Sequence, residues 1–506
     1  MEPIRIGKHV IGGDNPCFII AEISANHNQD FGHAIRLIKL AKESGADAVK
    51  FQTYTPDTIT LNCNNEHFKI KEGPWKGQTL YELYKQAYTP WEWFPKLKAY
   101  ADSIGITFFS TAFDTTAVDL LKSIDVPAYK IASFEIVDIR LLRRAAATKK
   151  PIILSTGLAS HEDVRLAVET IRGQGNDQIV LLKCNSNYPA IADELNIRQI
   201  ETLRKEFETL VGFSDHSLEV SADIMAVALG VCVIEKHVTA NRSVGGPDSV
   251  FSLEPKELKA LVEAVRSAER SLGNGAFVLS AGERASLQFR RSLFVIKTMP
   301  TGARILNGNL RSIRPGIGLK PRHLDALVGK KVNRRMDAGE PIRWKDIDQA
   351  AVRLRGAKIS DAHTLYSWIL DPDSRRFALD TRSFSFAEHC DWLRKRLADP
   401  QCRLWIAEYD SEPIGMVRFD GNNKNAAVSV NIDPAWRGQG LGKRLLHLAI
   451  RKAEKQRFAK ILLAYVHAEN GASLKIFKDC GFLESKSDKS GYSLLTRSVT
   501  QNRARP

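Results

Sequence analysis

A chain of 506 residues is too long for one compact core, so two or three domains are expected, and its 43% hydrophobic and 26% charged content is that of an ordinary soluble protein. Seven cysteines, an odd number without CxxC spacing, argue against a disulfide framework or a zinc knuckle. The formal charge of +15 comes from lysines and arginines dispersed through amphipathic segments, which argues against a nucleic-acid tract and is met equally well by small anionic ligands.

The first twenty residues lack a basic start, a long apolar stretch and a small-residue cleavage site, and no apolar run approaches a membrane span. A cytoplasmic protein is expected. Short apolar runs then alternate with helix-period segments, the sequence form of βα units. The runs are "FIIAEIS", "DAVKFQT", "ITFFST", "AYKIAS", "PIILSTG", "IVLLKCN", "LVGFSDHS" and "VCVIEKH". Eight such strands within roughly 250 residues are the expected content of an α/β chain folded as a (β/α)8 TIM barrel. A doubly wound open sheet is the alternative.

Nearly every run ends in groups that are costly to bury unpaired: Glu22, Lys50 and Gln52, Ser110 and Thr111, Lys130 and Ser133, Ser155 and Thr156, Asn185, His216 and His237. In a barrel these ends converge on the face where chemistry is placed. Period-two alternation puts Lys50 with Gln52, and Glu235 with His237, on common strand faces. Any one of these groups alone reads as a solvated strand end or a satisfied rim histidine; the set reads as a site. Lys50 and Lys130, with the hydroxyls of Ser133, Ser155 and Ser186, form a cradle for a phosphate or carboxylate. His216 and His237 offer two neutral nitrogens to a divalent metal, leaving positions open for a substrate oxygen. Glu22 and Glu135 are carboxylates for proton transfer.

The stretches "AEISANHN", "VKFQTYTPD", "YKIASFE", "STG", "LKCNSNYP", "GFSDHS" and "VIEKH" resemble the nonulosonic acid synthases, barrel enzymes that condense phosphoenolpyruvate with an amino sugar. The resemblance covers about the first 350 residues. Within the family, residues 68–93, "FKIKEGPWKGQTLYELYKQAYTPWEW", look like the pseudaminic acid branch, which implies 2,4-diacetamido-2,4,6-trideoxy-L-altrose as the sugar; the alternative is a legionaminic or N-acetylneuraminic branch. The resemblance implies that Lys50, Thr111, Lys130, Ser133, Ser155, Ser186 and Ser214 hold phosphoenolpyruvate, and that Gln52, Tyr188 and Asp248 address the sugar. It implies Mn or Mg on His216 and His237. The water-activating residue is left open among Glu22, Glu135 and Glu235. Asn185 stands where threonine is common.

After the helix expected at "EPKELKALVEAVRSAERSLG", short β-type runs separated by Gly and Pro suggest a small module, which looks like the antifreeze-like SAF domain of this family. In sialic acid synthases that module reaches across a homodimer, and the arginine of its "RPG" contacts the sugar in the partner's barrel; Arg314 is the matching residue. From about Val352 a separate core is expected. "NIDPAWRGQGLGKRLLHLAIRKAEK" gives strand, glycine turn and helix, where Arg437, Gly438, Gly440 and Gly442 would let backbone amides approach a pyrophosphate. With "KILLAYVHAENGASLKIFKDCGF" it resembles the GNAT N-acyltransferases, implying acetyl-CoA, with Asn470 at its site. Phe477 stands where the family often has a tyrosine as general acid, so the domain is either active by another route or a CoA-binding relic. Fusion suggests acetylation of the 4-amino group of a nucleotide-linked precursor. The expected domains are residues 1–280, 288–349 and 351–498.

Overall fold

The computed structural model describes all residues except 72–74, 274, 276, 278, 348–351, 381, 383, 410, 423, 439, 440 and 500–506. The chain divides into two compact units, Met1–Gly273 and Asn274–Pro506. Formal charge is split unevenly between them. Residues 1–273 carry 31 Lys and Arg against 35 Asp and Glu, whereas residues 274–506 carry 42 against 23.

The first unit opens with an antiparallel hairpin, β1 (Ile4–Ile6) and β2 (His9–Ile11). Eight parallel strands follow: β3 (Phe18–Glu22), β4 (Ala48–Thr53), β5 (Thr107–Ala112), β6 (Tyr129–Ile131), β7 (Ile152–Ser155), β8 (Ile179–Cys184), β9 (Leu210–Asp215) and β10 (Val233–His237). They close into a barrel, with β10 pairing both β3 and β9. All eight expected runs are strands, and closure excludes the open sheet. The wall is rich in β-branched and aromatic residues that pack between sheet and helices; Phe18, Val49, Phe108, Ile152, Val180 and Phe213 are all buried. Several return helices begin with side-chain caps, Asp30 on Phe31–Glu43, Asp114 on Thr115–Ser123, Asp138 on Ile139–Ala146 and Ser160 on His161–Gly173, which fix where those helices start after their strands.

The second unit contains the SAF module, with hairpin β11 (Ser292–Val295) and β12 (Leu310–Ile313), and an α/β module. The latter is a seven-stranded sheet of β13 (Val352–Gly356), β14 (Cys402–Tyr409), β15 (Glu412–Gly421), β16 (Asn425–Ile432), β17 (Ile461–His467), β18 (Leu483–Ser485) and β19 (Tyr492–Ser498), in the order β13-β14-β15-β16-β17-β19-β18. β16 and β17 run parallel but pair only over Asn425–Ala427 and Ile461–Leu463, so their C-terminal halves part.

The expectation of a separate core beyond the SAF module is corrected. One hydrophobic cluster runs from Leu293, Leu327 and Trp344 of the SAF module to Tyr409, Ile414 and Trp436 of the α/β module. Trp344 stacks on Trp436 with centroids 6.3 Å apart and planes 9° apart, and packs on Tyr409 at 4.2 Å. Beside this stack the largely buried Glu412 meets Lys320 at 3.1 Å and His323 at 2.7 Å, and also Arg322. Trp344 and Ile347 are apolar side chains on a module too small to cover them itself, so they are buried against its neighbour. All seven cysteines are unpaired, and among the described residues no helix is long and apolar enough to cross a membrane.

Candidate active site

Strand register gathers the polar ends. Glu22 on β3 is in register with Lys50 on β4 and with His237 on β10, Gln52 is opposite Thr111, and Thr111 is opposite Lys130. Lys50 forms an ion pair with Glu22, donates to Thr111 Oγ1 at 2.9 Å and lies 3.7 Å from Glu235. Lys130 donates to Ser155 Oγ at 2.7 Å and lies 3.7 Å from the other oxygen of Glu235, which also accepts from Ser214 Oγ at 3.1 Å. Two ammonium groups, two carboxylates and three hydroxyls thus share one buried centre.

The hydroxyl cradle is built around a glycine. Gly157 donates its N–H to Ser133 Oγ at 3.2 Å, and a Cβ there would lie 2.4 Å from Ser186 Oγ and 2.7 Å from Ser133 Oγ. Only glycine leaves that space free. Ser186 Oγ is buried without a hydrogen-bond partner among the described residues, as is Oε2 of Glu135. Such atoms are costly unless a ligand satisfies them.

Burial sets the proton affinities. It raises Glu22 to about 7, with Lys50 pulling the other way, and raises Glu135 to about 7. For Glu235 burial is outweighed by Lys130 and Lys50, which hold it below the usual carboxylate range. Burial lowers Lys130, while at Lys50 burial is outweighed by Glu22 and Glu235 and the affinity rises. The three glutamates therefore divide: Glu235 stays ionised between two ammoniums, and Glu22 and Glu135 titrate near neutrality.

His216 and His237 face each other with ring centroids 5.2 Å apart. Nδ1 of His216 donates to the Asn185 carbonyl at 2.7 Å, which leaves Nε2 as the lone-pair nitrogen. Nδ1 of His237 is buried without a hydrogen-bond partner among the described residues and stands 4.0 Å from Asp248. Burial keeps both imidazoles neutral, His237 most strongly because His216, Lys50 and Lys130 add to the effect. Two neutral imidazoles, one with a fixed tautomer and one with an orphaned nitrogen, fit a divalent metal with open positions. Among the described residues no group of three or more His, Cys, Asp or Glu forms a complete cage.

Gln52 donates to Ser24 Oγ at 2.8 Å, and Ser24 bonds Asp248, so the loop after β10 is tied to the loop after β3. Tyr188 packs on His216 at 4.5 Å and Phe251 on His237 at 5.0 Å. Ser24 and Phe251 were not singled out by sequence reasoning. Ser24 lies inside "AEISANHN" beside the chosen Glu22, whereas an aromatic two residues past a glycine-rich turn carries no signal. Arg314 belongs to the second unit, where it is exposed after β12.

In the α/β module Arg437 is engaged by its own chain, 2.9 Å from Asp371, 3.4 Å from Asp373 and donating to Ser374 Oγ at 2.8 Å. Gly438 has φ of +75° and open space around it. Gly440 lies outside the described residues. At Gly442 a Cβ would meet Ile476 Cδ1 at 2.8 Å, so this glycine permits close packing of the helices Leu441–Lys455 and Gly471–Asp479. Asn470 caps the second of these by accepting from Ser473 N at 3.1 Å, and Phe477 is buried against Phe482.

Family models match in the same order as these modules: NeuB family over residues 37–277, SAF domain over 290–348 and Acetyltransferase (GNAT) family over 363–482. The chain is 43% identical over 333 residues to a pseudaminic acid synthase of Campylobacter jejuni, covering 66% of this chain and 97% of that one. It is 40% identical over 344 residues to an N,N'-diacetyllegionaminic acid synthase of Legionella pneumophila, covering 67% and 96%. Among solved structures, an N-acetylneuraminic acid synthetase of Leptospira borgpetersenii in complex with citrate matches with TM-score 0.51 and 35% identity over 57% of this chain and 96% of that one. With two lysines, a hydroxyl cradle and two imidazoles at the mouth of its barrel, the chain belongs to the NeuB family of phosphoenolpyruvate-dependent nonulosonic acid synthases and carries a GNAT-family acetyltransferase domain behind its SAF module.

Proposed function

We propose that the barrel condenses phosphoenolpyruvate with 2,4-diacetamido-2,4,6-trideoxy-L-altrose to give pseudaminic acid and phosphate. The observation that carries this reading is the adjacency of an anion cradle, Lys50, Lys130, Ser133, Ser155 and Ser186, to the two-imidazole pair. The pseudaminic acid synthases of Campylobacter jejuni and Helicobacter pylori, at 43% and 40% identity, support the choice of sugar.

His216 and His237 would hold Mn or Mg, which supplies Lewis-acid polarisation of the open-chain aldehyde. Lys50 and Lys130 neutralise the phosphate and carboxylate, and Thr111, Ser155, Ser186 and Ser214 orient them, so that carbon 3 of phosphoenolpyruvate faces the aldehyde carbon. As the carbon–carbon bond forms, carbon 2 becomes oxocarbenium-like and is stabilised by the ionised Glu235. Water adds to carbon 2 and loses a proton to Glu135, whose affinity near neutrality suits it to take and return one. Phosphate then leaves by carbon–oxygen cleavage. Gln52, Tyr188 and Asp248 hold the sugar. Both co-substrates, phosphoenolpyruvate and acetyl-CoA, are cytoplasmic metabolites, which supports that location.

Large apolar side chains stand exposed on loops that follow the barrel strands, among them Phe134, Val137, Leu158, Ile191 and Val250. Exposed apolar side chains on several of these loops favour a cover. It supports a homodimer in which the SAF module of one copy, with Arg314, closes the barrel of the other.

For the C-terminal domain we infer acetyl transfer from acetyl-CoA to an amino sugar of the same pathway, the 4-amino group of a nucleotide-linked precursor. The parting of β16 and β17, the open Gly438 and the basic excess of this unit support a polyanionic thioester ligand.

One incubation separates the readings. Phosphoenolpyruvate is offered with an equimolar mixture of the altrose-, glucose- and mannose-configured acetamido sugars, and the acids formed are identified by mass and chromatography. Pseudaminic acid as the main product supports the proposal; diacetyllegionaminic or N-acetylneuraminic acid as the main product overturns the choice of sugar. Free CoA released from acetyl-CoA only when the 4-amino precursor is present supports the second activity, and release equal to the blank overturns it.

A further inference from the structure

The residues immediately before the two histidines point away from the site. Strand alternation turns Asp215 and Lys236 to the outer face of the barrel wall, in register with each other on β9 and β10, beneath the helix Ser221–Ala228 that carries Asp223. All three are sealed from solvent: Lys236 and Asp215 are each 1% exposed and Asp223 is 0%. Lys236 Nζ donates to Asp215 Oδ2 at 2.5 Å, to the Ser217 carbonyl at 2.8 Å and to the Glu219 carbonyl at 3.3 Å, which uses its three N–H groups. Asp223 Oδ2 stands 3.3 Å from the same ammonium. Asp215 in turn accepts from Ser217 N at 2.8 Å and Ser217 Oγ at 2.9 Å.

The consequence is geometric. His216 lies in the middle of a short turn whose two sides, Asp215 and Ser217, are both bound to an ammonium on the neighbouring strand. That ammonium belongs to the residue next to His237. Burying one lysine with two carboxylates is expensive, and apolar residues of similar volume pack such a position at no electrostatic cost. What an apolar contact lacks is direction.

We propose that Lys236, Asp215 and Asp223 are positioning residues that fix the His216 imidazole relative to the His237 imidazole, and through that spacing set the affinity of the pair for a divalent cation. This rests on the reading of the two histidines as metal ligands. Lys236 and Asp215 act through hydrogen bonds; Asp223, whose oxygens have no hydrogen-bond partner among the described residues, lies 3.3 Å from the ammonium and closes the buried cluster over it.

The test is Mn2+ binding to the full chain, read from the paramagnetic resonance signal of free Mn2+, beside phosphoenolpyruvate binding without metal. Lys236→Met and Asp215→Asn are expected to weaken Mn2+ binding about 10–100-fold, the range for residues that orient metal ligands. Phosphoenolpyruvate affinity stays unchanged, because Lys50, Lys130 and Ser155 are untouched; a general loosening of the barrel would lower both. If Lys236→Met does not fold, the isosteric Asp215→Asn decides alone. Mn2+ affinity that depends on His237 but is unaltered in Asp215→Asn overturns the positioning role. Mn2+ affinity equal in wild type and His237→Ala overturns the metal reading and the positioning role with it.

Discussion

The carboxylate of Glu235 lies 3.7 Å from the ammonium of Lys130, and both side chains are almost fully buried, 4% and 3% exposed. Lys50 sits at the same distance from the other oxygen, so one carboxylate is shared between two ammoniums that an incoming anion would also use. Glu235→Gln should therefore do two opposite things. It leaves two buried cations with only Glu22 to balance them, which costs about 3–5 kcal/mol in the protein without ligand. It also strengthens the pull on phosphoenolpyruvate. Thermal melts should show a lowered Tm and a larger upward shift on adding phosphoenolpyruvate than wild type gives; an unchanged shift would mean that Glu235 and the anion do not share the lysines.

Glu135 gives a pH signature. Burial raises it from 4.5 to about 7 in the folded protein, so between these values the folded chain holds a proton that the unfolded chain has lost. Stability from this group is full below the unfolded value and is lost as pH rises through the folded one. Glu135→Gln removes that loss, so its Tm advantage over wild type should be greater at about pH 8 than at about pH 5. If Glu135 is the base for water, the same variant should lose about 10²–10⁴-fold in kcat with a smaller change in KM. A constant Tm difference across pH would refute the raised affinity.

Burial of Trp344 against Trp436 bears on the independence of the C-terminal domain. Trp344→Ala in the full chain is expected to cost about 3–5 kcal/mol. A chain ending at Ile347 should keep a folded barrel but a loosened SAF module, seen as faster hydrogen exchange across residues 292–347. Native protection in the shortened chain would show that the aromatic stack is dispensable.

The proposed exchange of the SAF module between two copies predicts complementation. Arg314→Ala and His237→Ala chains, each inactive alone, should recover activity when co-expressed, because a mixed dimer contains one site with both lesions and one with neither. No recovery in verified heterodimers would place Arg314 outside the neighbouring site.

Sequence reading located the barrel and its inward groups because both rest on short-range rules. Eight apolar runs with polar C-terminal ends are visible residue by residue, and period two sorts Lys50 and Glu235 to the inside. Outward neighbours escaped for the same reason: Asp215 and Lys236 sit in the motifs "GFSDHS" and "VIEKH", but alternation gives them a face and says nothing of a partner on a helix. Gly442 was legible as a glycine and not for its reason, since contact with Ile476 depends on two helices meeting. The Trp344–Trp436 stack joins segments about 90 residues apart through tertiary packing, for which no local pattern exists.

The central claim is a carbon–carbon condensation in which phosphate departs by carbon–oxygen cleavage, and it is tested most directly with phosphoenolpyruvate carrying heavy oxygen in its bridging ester position. The account predicts a nonulosonic acid with the mass of the sugar plus pyruvic acid, with the heavy oxygen found in the released phosphate. Label retained in the acid, or phosphate released without that acid, would contradict it.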